Sequence, residues 1–341
     1  MRNDINRRWV LNARPQGALQ PNTFKWEEGP MPTVCDGEFL VRNLWLSFDP
    51  AQRGWINDVP SYVPPVQIGE PMRALAVAQV IESRAPGFQP GDLVSGAFGW
   101  QEYAVSSGEG IMVPRKLVPG ADPQVELSVL GGTGMTAYFG MESIGKPAAG
   151  ETVVVSGAAG ATGSIAGQVA RLMGAANVIG IAGGPDKCRW LTQEAKFDAA
   201  IDYKNEDVGA RLDALAPNGV DVYFDNVGGE ILDLCLARVA FKGRIVLCGG
   251  ISSGYGVDRG AGPANYFQLV IKSARMEGFI VLNYLDRFAE AAARMREWID
   301  AGQLVWRVDV ASGLENAPRT LAGLFAGANF GKQLLKLADP Q

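Results

Sequence analysis

The chain of 341 residues contains no histidine. That absence removes whole chemistries: no Ser-His-Asp or Cys-His catalytic set can be built, and no metal can be held by imidazole. Cysteine is scarce too. The four thiols, Cys35, Cys188, Cys235 and Cys248, lie far apart and form no C-x-x-C pair. A structural zinc and a disulfide framework find no support, and small buried thiols are expected instead. Basic charge is in deficit, with 31 Lys and Arg against 36 Asp and Glu, so the net charge of -5 argues against a nucleic-acid partner. No apolar run is long enough to span a membrane, and the charged start Met1-Arg2-Asn3-Asp4-Ile5-Asn6-Arg7-Arg8 lacks a signal core. A soluble, cytoplasmic protein is expected, without a membrane partner. Low-complexity linkers and internal repeats are also missing.

What is abundant is glycine, at 43 residues, and apolar side chains, at 47%, enough to fill the cores of two domains. Residues 1 to about 125 lack helical periodicity and carry short β-type runs, among them 38–44, 74–82, 93–96 and 101–105. They read as a small barrel or sandwich. From about Val125 helix and strand alternate. Strands are expected at 152–156, 178–182, 199–203, 220–225, 243–248 and 278–282, with a long amphipathic helix over 285–301. This is the pattern of a doubly wound parallel sheet. The last segment, with a strand at 332–337, is expected to return to the β-rich domain. The division is therefore 1–125, 126–303 and 304–341.

The most informative stretch runs from Thr152 to Tyr203. The apolar run Thr152-Val153-Val154-Val155-Ser156 leads into Gly157-Ala158-Ala159-Gly160-Ala161-Thr162-Gly163, then a helical pattern, then a second apolar run. Strand, glycine turn, helix and strand form the context of a dinucleotide site, where glycines admit a pyrophosphate and a helix N-terminus faces it. The spacing is Gly157-x-x-Gly160-x-x-Gly163; a G-x-G-x-x-G register on Gly160 and Gly163 would put Ala158 at its first glycine. NAD sites usually carry an acid about 20 residues on. Here the strand tip reads Ala182-Gly183-Gly184-Pro185-Asp186-Lys187. Pro185 suits a first helical position and Asp186 a first turn, so the acid serves the next helix. Small residues and Lys187 leave room and charge for a 2′-phosphate, which favours NADP. The other expected strand ends, Tyr203, Asp225-Asn226-Val227-Gly228-Gly229 and Cys248 to Tyr255, cluster where a doubly wound sheet binds ligands.

With these features in hand, the chain resembles the zinc-independent medium-chain dehydrogenases/reductases, within them the NADPH-dependent alkenal/one, prostaglandin and curcumin reductases. The resemblance starts at Asn6-Arg7-Arg8-Trp9-Val10-Leu11 and continues through Asp49-Pro50-Ala51-Gln52-Arg53-Gly54. Ser61-Tyr62-Val63-Pro64-Pro65-Val66-Gln67-Ile68-Gly69-Glu70 is especially specific, and Gly134-Met135-Thr136-Ala137-Tyr138 and Gly327-Ala328-Asn329-Phe330-Gly331-Lys332 extend it. It implies a GroES-like β domain beside a Rossmann domain, with the active site in the cleft between them. By that resemblance Gly160, Ala161, Thr162 and Gly163 hold the pyrophosphate, and Lys187 with Tyr203 the 2′-phosphate. Asn226, Cys248, Gly249, Ser252, Ser253, Phe279, Ile280, Val281 and Asn329 line the rest of the cofactor. A homodimer through the Rossmann domains is implied as well. The chain departs from the family at Gly132-Thr133-Gly134, where a proline is common, and at Ile251-Ser252-Ser253-Gly254-Tyr255, where the tyrosine stands one position late.

The implied reaction is NADPH-dependent reduction of the C=C bond of an α,β-unsaturated carbonyl. Negative charge then develops on the carbonyl oxygen and needs a donor. Without histidine, tyrosine is the natural choice, and Tyr62 and Tyr255 are the two candidates, with water as a final proton source. Loops around Trp55, Tyr62, Phe98, Trp100 and Tyr266 are expected to shape the pocket. Two rival readings are a quinone oxidoreductase and a non-catalytic NADPH-binding structural protein.

Overall fold

The computed structural model describes residues 5–110, 112–257 and 262–341. Two large sheets and a separate two-stranded one divide the chain. An antiparallel hairpin, β1 (Ile5–Leu11) and β2 (Phe24–Pro30), precedes β3 (Phe39–Ser47), β4 (Ala76–Ser83), β5 (Leu93–Gly96), β6 (Tyr103–Ser106) and β7 (Arg115–Lys116). Then come β8 (Thr152–Ser156), β9 (Asn177–Ala182), β10 (Ala199–Asp202), β11 (Val220–Asp225), β12 (Val239–Leu247) and β13 (Arg275–Gly278). The chain finishes with β14 (Val308–Ser312) and β15 (Lys332–Lys336).

Strands β8 to β13 make a six-stranded sheet in the order β10-β9-β8-β11-β12-β13, parallel throughout. Their near-continuous Val and Ile content is what burial on both faces demands, and Val153, Val154, Val155, Ile179 and Ile245 are fully enclosed. Chain order reverses between β8 and β11, so the crevice beyond their carboxyl ends is the natural ligand position. The β-rich sheet is built from both ends of the chain, in the order β14-β15-β3-β4-β5-β7, with β6 also on β3. Strand β3 is its hub. One edge pairs with β4; the other is shared, β6 taking residues 39–42 and β15 taking 45–47. The helix Ala317–Phe325 packs Leu321 and Leu324 into the same core as Phe39, Phe48 and Trp100.

The sixth parallel strand corrects the expected position. It occupies Arg275–Gly278, so the run expected as a strand at 278–282 overlaps it only at Gly278 and otherwise lies beyond its end. The run is apolar for another reason: Phe279 and Val281 pack on the core under the parallel sheet, whereas Leu282 packs on that of the β-rich sheet. It is a seam between two cores, which period and composition alone cannot tell from a buried strand. The amphipathic helix begins later than expected, at Phe288, after a 3-10 segment over Val281–Arg287. No helix among the described residues is long and apolar enough to cross a membrane.

Candidate active site

The first βαβ unit forms as its glycines require. Gly157 has φ +58°, so the chain can turn out of β8 in a conformation that side chains resist. A Cβ on Gly163 would stand 2.9 Å from the Ala158 Cα, and one on Gly167 would run into the Phe197 ring. Those two glycines let the helix Ala161–Leu172 lie against the turn and the neighbouring loop. Its N-cap, Gly160, supplies no side-chain cap, and the N–H groups of Ala161, Thr162 and Gly163 have no backbone acceptor among the described residues. They are exposed to whatever anion occupies the crevice, at the positive end of the helix dipole. Across the turn, the Gly331 N–H donates to the Ala159 carbonyl at 2.9 Å, tying in the C-terminal segment.

At the tip of β9 the helix Pro185–Gln193 starts with Pro185 at its first position and Asp186 in its first turn, as expected. Lys187 is half-buried, and its Nζ donates to the Gly327 carbonyl at 2.9 Å. Burial, then the neighbouring Lys204 charge, pulls its pKa below the ordinary 10.5. Tyr203 lies half exposed against Gly183, where a Cβ would come 2.9 Å from the ring. Two residues at this end escaped the sequence reading. One is Lys204. The other is Asp202, whose carboxylate accepts from the Gly184 N–H at 2.7 Å, the Asn205 amide at 2.7 Å and the Lys204 N–H at 3.1 Å, and so ties the two strand-end loops together.

Deeper in, the ends of β8, β11 and β12 are knotted by one buried residue, Asp225. Asp225 accepts from Ser156 Oγ at 3.1 Å, Tyr223 Oη at 2.8 Å and the Val227 and Gly228 N–H groups at 2.9 and 2.8 Å. Its backbone oxygen accepts from the N–H groups of Cys248 and Gly249. Asn226 donates to the Ser156 carbonyl at 2.7 Å and turns into the crevice. Burial, with the Asp225 charge nearby, pushes the Cys248 thiol up to about 12.

One cavity of about 620 Å³ connects these groups with the β-rich sheet, within the range of a cofactor-sized site. The residues named from sequence, Gly160 to Gly163, Lys187, Tyr203, Asn226, Cys248, Gly249, Ser252, Phe279 to Val281, Asn329, Tyr62 and Tyr255, all line it. Ser253 does not; its hydroxyl donates to the Gly250 carbonyl at 2.8 Å inside its own 3-10 turn. Among the aromatics expected to shape the pocket, Trp55 and Tyr62 line it. Phe98 and Trp100 instead fill the β-rich core, with Trp100 packed between Phe24 and Phe48, and Tyr266 is 60% exposed on the outer surface.

The two tyrosines meet the cavity in the same chemical manner. Tyr62 Oη accepts from Trp55 Nε1 at 2.9 Å, and Tyr255 Oη accepts from the Gly250 N–H at 3.2 Å. Each fixed donor leaves the hydroxyl hydrogen for a different acceptor, and none is present among the described residues. Burial, aided by the Asp49 charge, lifts the Tyr62 pKa above its ordinary value against the pull of Trp55 and Arg73. Burial pushes Tyr255 up to about 12. Both therefore remain protonated donors at neutral pH. The loop closes through two successive left-handed positions, Gly254 at φ +64° and Tyr255 at φ +54°, and the Tyr255 hydroxyl lies over Gly249.

Asp49 and Lys332 are further cavity residues that sequence reasoning missed. Lys332 is 2% exposed, pairs with the Asp49 carboxylate and donates to the Phe48 carbonyl at 3.0 Å. Ser47 Oγ donates to Asp49 at 2.7 Å. Both ion-pair members sit in motifs quoted above, but 283 positions separate them, so no local spacing could have paired them.

Residues 7–113 match a family model described as the N-terminal domain of oxidoreductase, and residues 161–297 match one described as zinc-binding dehydrogenase. The zinc of the second description does not suit this donor set: histidine is absent, and no group of three Cys, Asp or Glu side chains among the described residues could hold a metal ion. The chain is 40% identical over 339 residues to the NADPH-dependent curcumin reductase of Escherichia coli, covering 98% of this chain and 97% of that protein. It is 41% identical over 307 residues to the NADP-dependent 2-alkenal reductase of Nicotiana tabacum, covering 88% of each. The crystal structure of CurA from Vibrio vulnificus in complex with NADPH superposes with a TM-score of 0.92 at 39% identity, covering 98% of this chain and all of that one.

Proposed function

The chain belongs to the medium-chain dehydrogenase/reductase family, in its branch of NADPH-dependent alkenal/one reductases, and on that premise we propose that it reduces the C=C bond of α,β-unsaturated aldehydes and ketones with NADPH. What carries the reading is the continuity of one cavity, from an uncapped, glycine-cradled helix N-terminus to two tyrosine hydroxyls with free hydrogens.

The residues fit the cofactor. The N–H groups of 161–163 suit a pyrophosphate, Lys187, Tyr203 and Lys204 suit a 2′-phosphate, and Asn226, Cys248, Phe279 to Val281 and Asn329 wall the remainder. NADPH, when bound, supplies the hydride that adds to the substrate β-carbon. The chain's own part is electrostatic. Tyr62 and Tyr255 donate to the carbonyl oxygen as it becomes an enolate, in a largely apolar site where such bonds are strongest. The Asp49–Lys332 pair fixes the wall that carries Phe48, and water delivers the proton to the α-carbon. Zinc has no place in this scheme.

The division into 1–125, 126–303 and 304–341, and work in the cytoplasm, are parts of the same proposal, as is a homodimer. For the dimer, Phe241, Tyr266, Phe267, Val270 and Ile271 are each at least 59% exposed near β13, the edge strand of the parallel sheet. The test is NADPH oxidation, followed by absorbance, against 2-alkenals, aryl enones and quinones, with NADH as control. Turnover on the enals and enones with NADPH preferred is expected. Turnover on quinones alone, or tight NADPH binding without turnover, would overturn the reading in favour of a quinone oxidoreductase or a non-catalytic binder.

A further inference from the structure

We propose that Asn57, clamped by the buried guanidinium of Arg53, is a positioning residue that holds Tyr255 in the active site from the opposite side of the cleft. The inference rests on the donor role given to Tyr255 above. Arg53 is 1% exposed and has no carboxylate partner among the described residues. Its donors go to the Pro15 carbonyl at 3.0 Å, the Gly17 carbonyl at 2.7 Å and Asn57 Oδ1 at 2.5 Å. A guanidinium can only donate, so the atom of Asn57 that faces it is the oxygen. This leaves the Asn57 amide nitrogen to donate, and it does so to the Tyr255 carbonyl at 2.7 Å.

Tyr255 needs such a hold. It is one of few non-glycine residues with positive φ, a conformation that costs about 1 kcal/mol or more and persists only when surroundings impose it. Its other restraints, Ser253 Oγ on its N–H at 3.3 Å and the Gly250 N–H on its hydroxyl at 3.2 Å, come from its own loop. Across the cleft the Tyr255 side chain rests against Gly54, but among the described residues the Asn57 bond is the one hydrogen bond that connects its backbone to the helix Ala51–Trp55 side, which also carries Trp55 and, through it, Tyr62. The clamp therefore sets the spacing of the two tyrosines.

The discriminating variant is Asn57→Asp. It keeps an acceptor for Arg53 and gives that buried cation a counter-charge, but turns an acceptor towards the Tyr255 carbonyl. Steady-state kinetics on an enone, NADPH titration and thermal melts of N57D, Tyr255→Phe and the double variant test the idea. Expected are a melting temperature no lower than that of the parent, NADPH affinity within about twofold, and kcat about tenfold lower for N57D. In the Y255F background N57D should cost less than about twofold more, because the misplaced hydroxyl is already gone. If N57D turns over like the parent while Y255F is slow, or if the two losses multiply independently, the positioning role is overturned. If Y255F itself is as fast as the parent, the donor role of Tyr255 fails first, and this inference with it. Should N57D not fold, Asn57→Ser, which keeps an acceptor near Arg53 but is too short to reach residue 255, is read against the same outcomes.

Discussion

The two ends of the cleft are made in opposite ways. The phosphate end is contiguous and made largely of backbone: a glycine turn, an uncapped helix start and the tips of adjacent parallel strands, all within residues 152–204. The carbonyl end is assembled from side chains of separate segments, Asp49 and Trp55, Tyr62, Tyr255, and Lys332, none near another in sequence except the first three. At one end the space is made by what the glycines leave out, and at the other by hydrogen bonds and an ion pair that bring distant segments together.

The largest effect should come from filling the space at the phosphate end. Gly163→Val would drive a side chain into the Ala158 backbone, and an NADPH fluorescence titration is expected to show Kd raised about a hundredfold or more. Nearly normal binding would mean that the cradle does not set cofactor affinity. The matching break at the carbonyl end is Lys332→Ala, which strands the Asp49 carboxylate and the Phe48 carbonyl. Denaturant melts should record a loss of about 3–5 kcal/mol. A loss below about 1 kcal/mol would show that this wall stands without the ion pair.

A smaller change sharpens the contrast. Lys187→Ala should weaken NADPH about ten- to a hundredfold and leave NADH untouched. The pH dependence has a definite sign. In the free protein the Lys187 pKa lies below 10.5, and a bound phosphate favours the charged amine. NADPH affinity is therefore expected to fall as pH rises through that lowered value, with NADH flat and the slope lost in the variant. Smallest is Tyr62→Phe, which removes one of two donors and leaves Trp55 Nε1 without its acceptor. A fall in kcat of about tenfold is expected in the enone assay, and an unchanged kcat would leave the donor work to Tyr255.

This contrast also governs what the sequence made legible. Gly157, Gly160, Gly163, Pro185 and Lys187 could be read because helix and turn geometry is local, and each residue's neighbours in sequence are its neighbours in space. Tyr62 and Tyr255 were reached through resemblance to a family. Nothing in their own surroundings showed that Tyr255 reaches the cavity, since its placement depends on Gly254 and Tyr255 both adopting positive φ. The Asp49–Lys332 pair and the Asn57–Tyr255 hydrogen bond lay hidden because they join segments far apart in the chain. The apolar run after Gly278 misled because seams between cores and buried strands share a composition. Phe98 and Trp100 likewise look no different as core than as pocket wall.

The shared edge of β3 has a consequence for the order in which the molecule can be made. Strands β3 to β7 are synthesised before the parallel sheet, yet part of one β3 edge stays bare until β15, ending at Lys336, has been made. The parallel sheet, by contrast, is complete once Gly278 emerges, because its strands are drawn from one continuous stretch. Long-range pairings wait on chain closure. The half that leaves the ribosome first is thus the last to be finished, and the cleft, which needs both halves, closes only when nearly the whole chain is present.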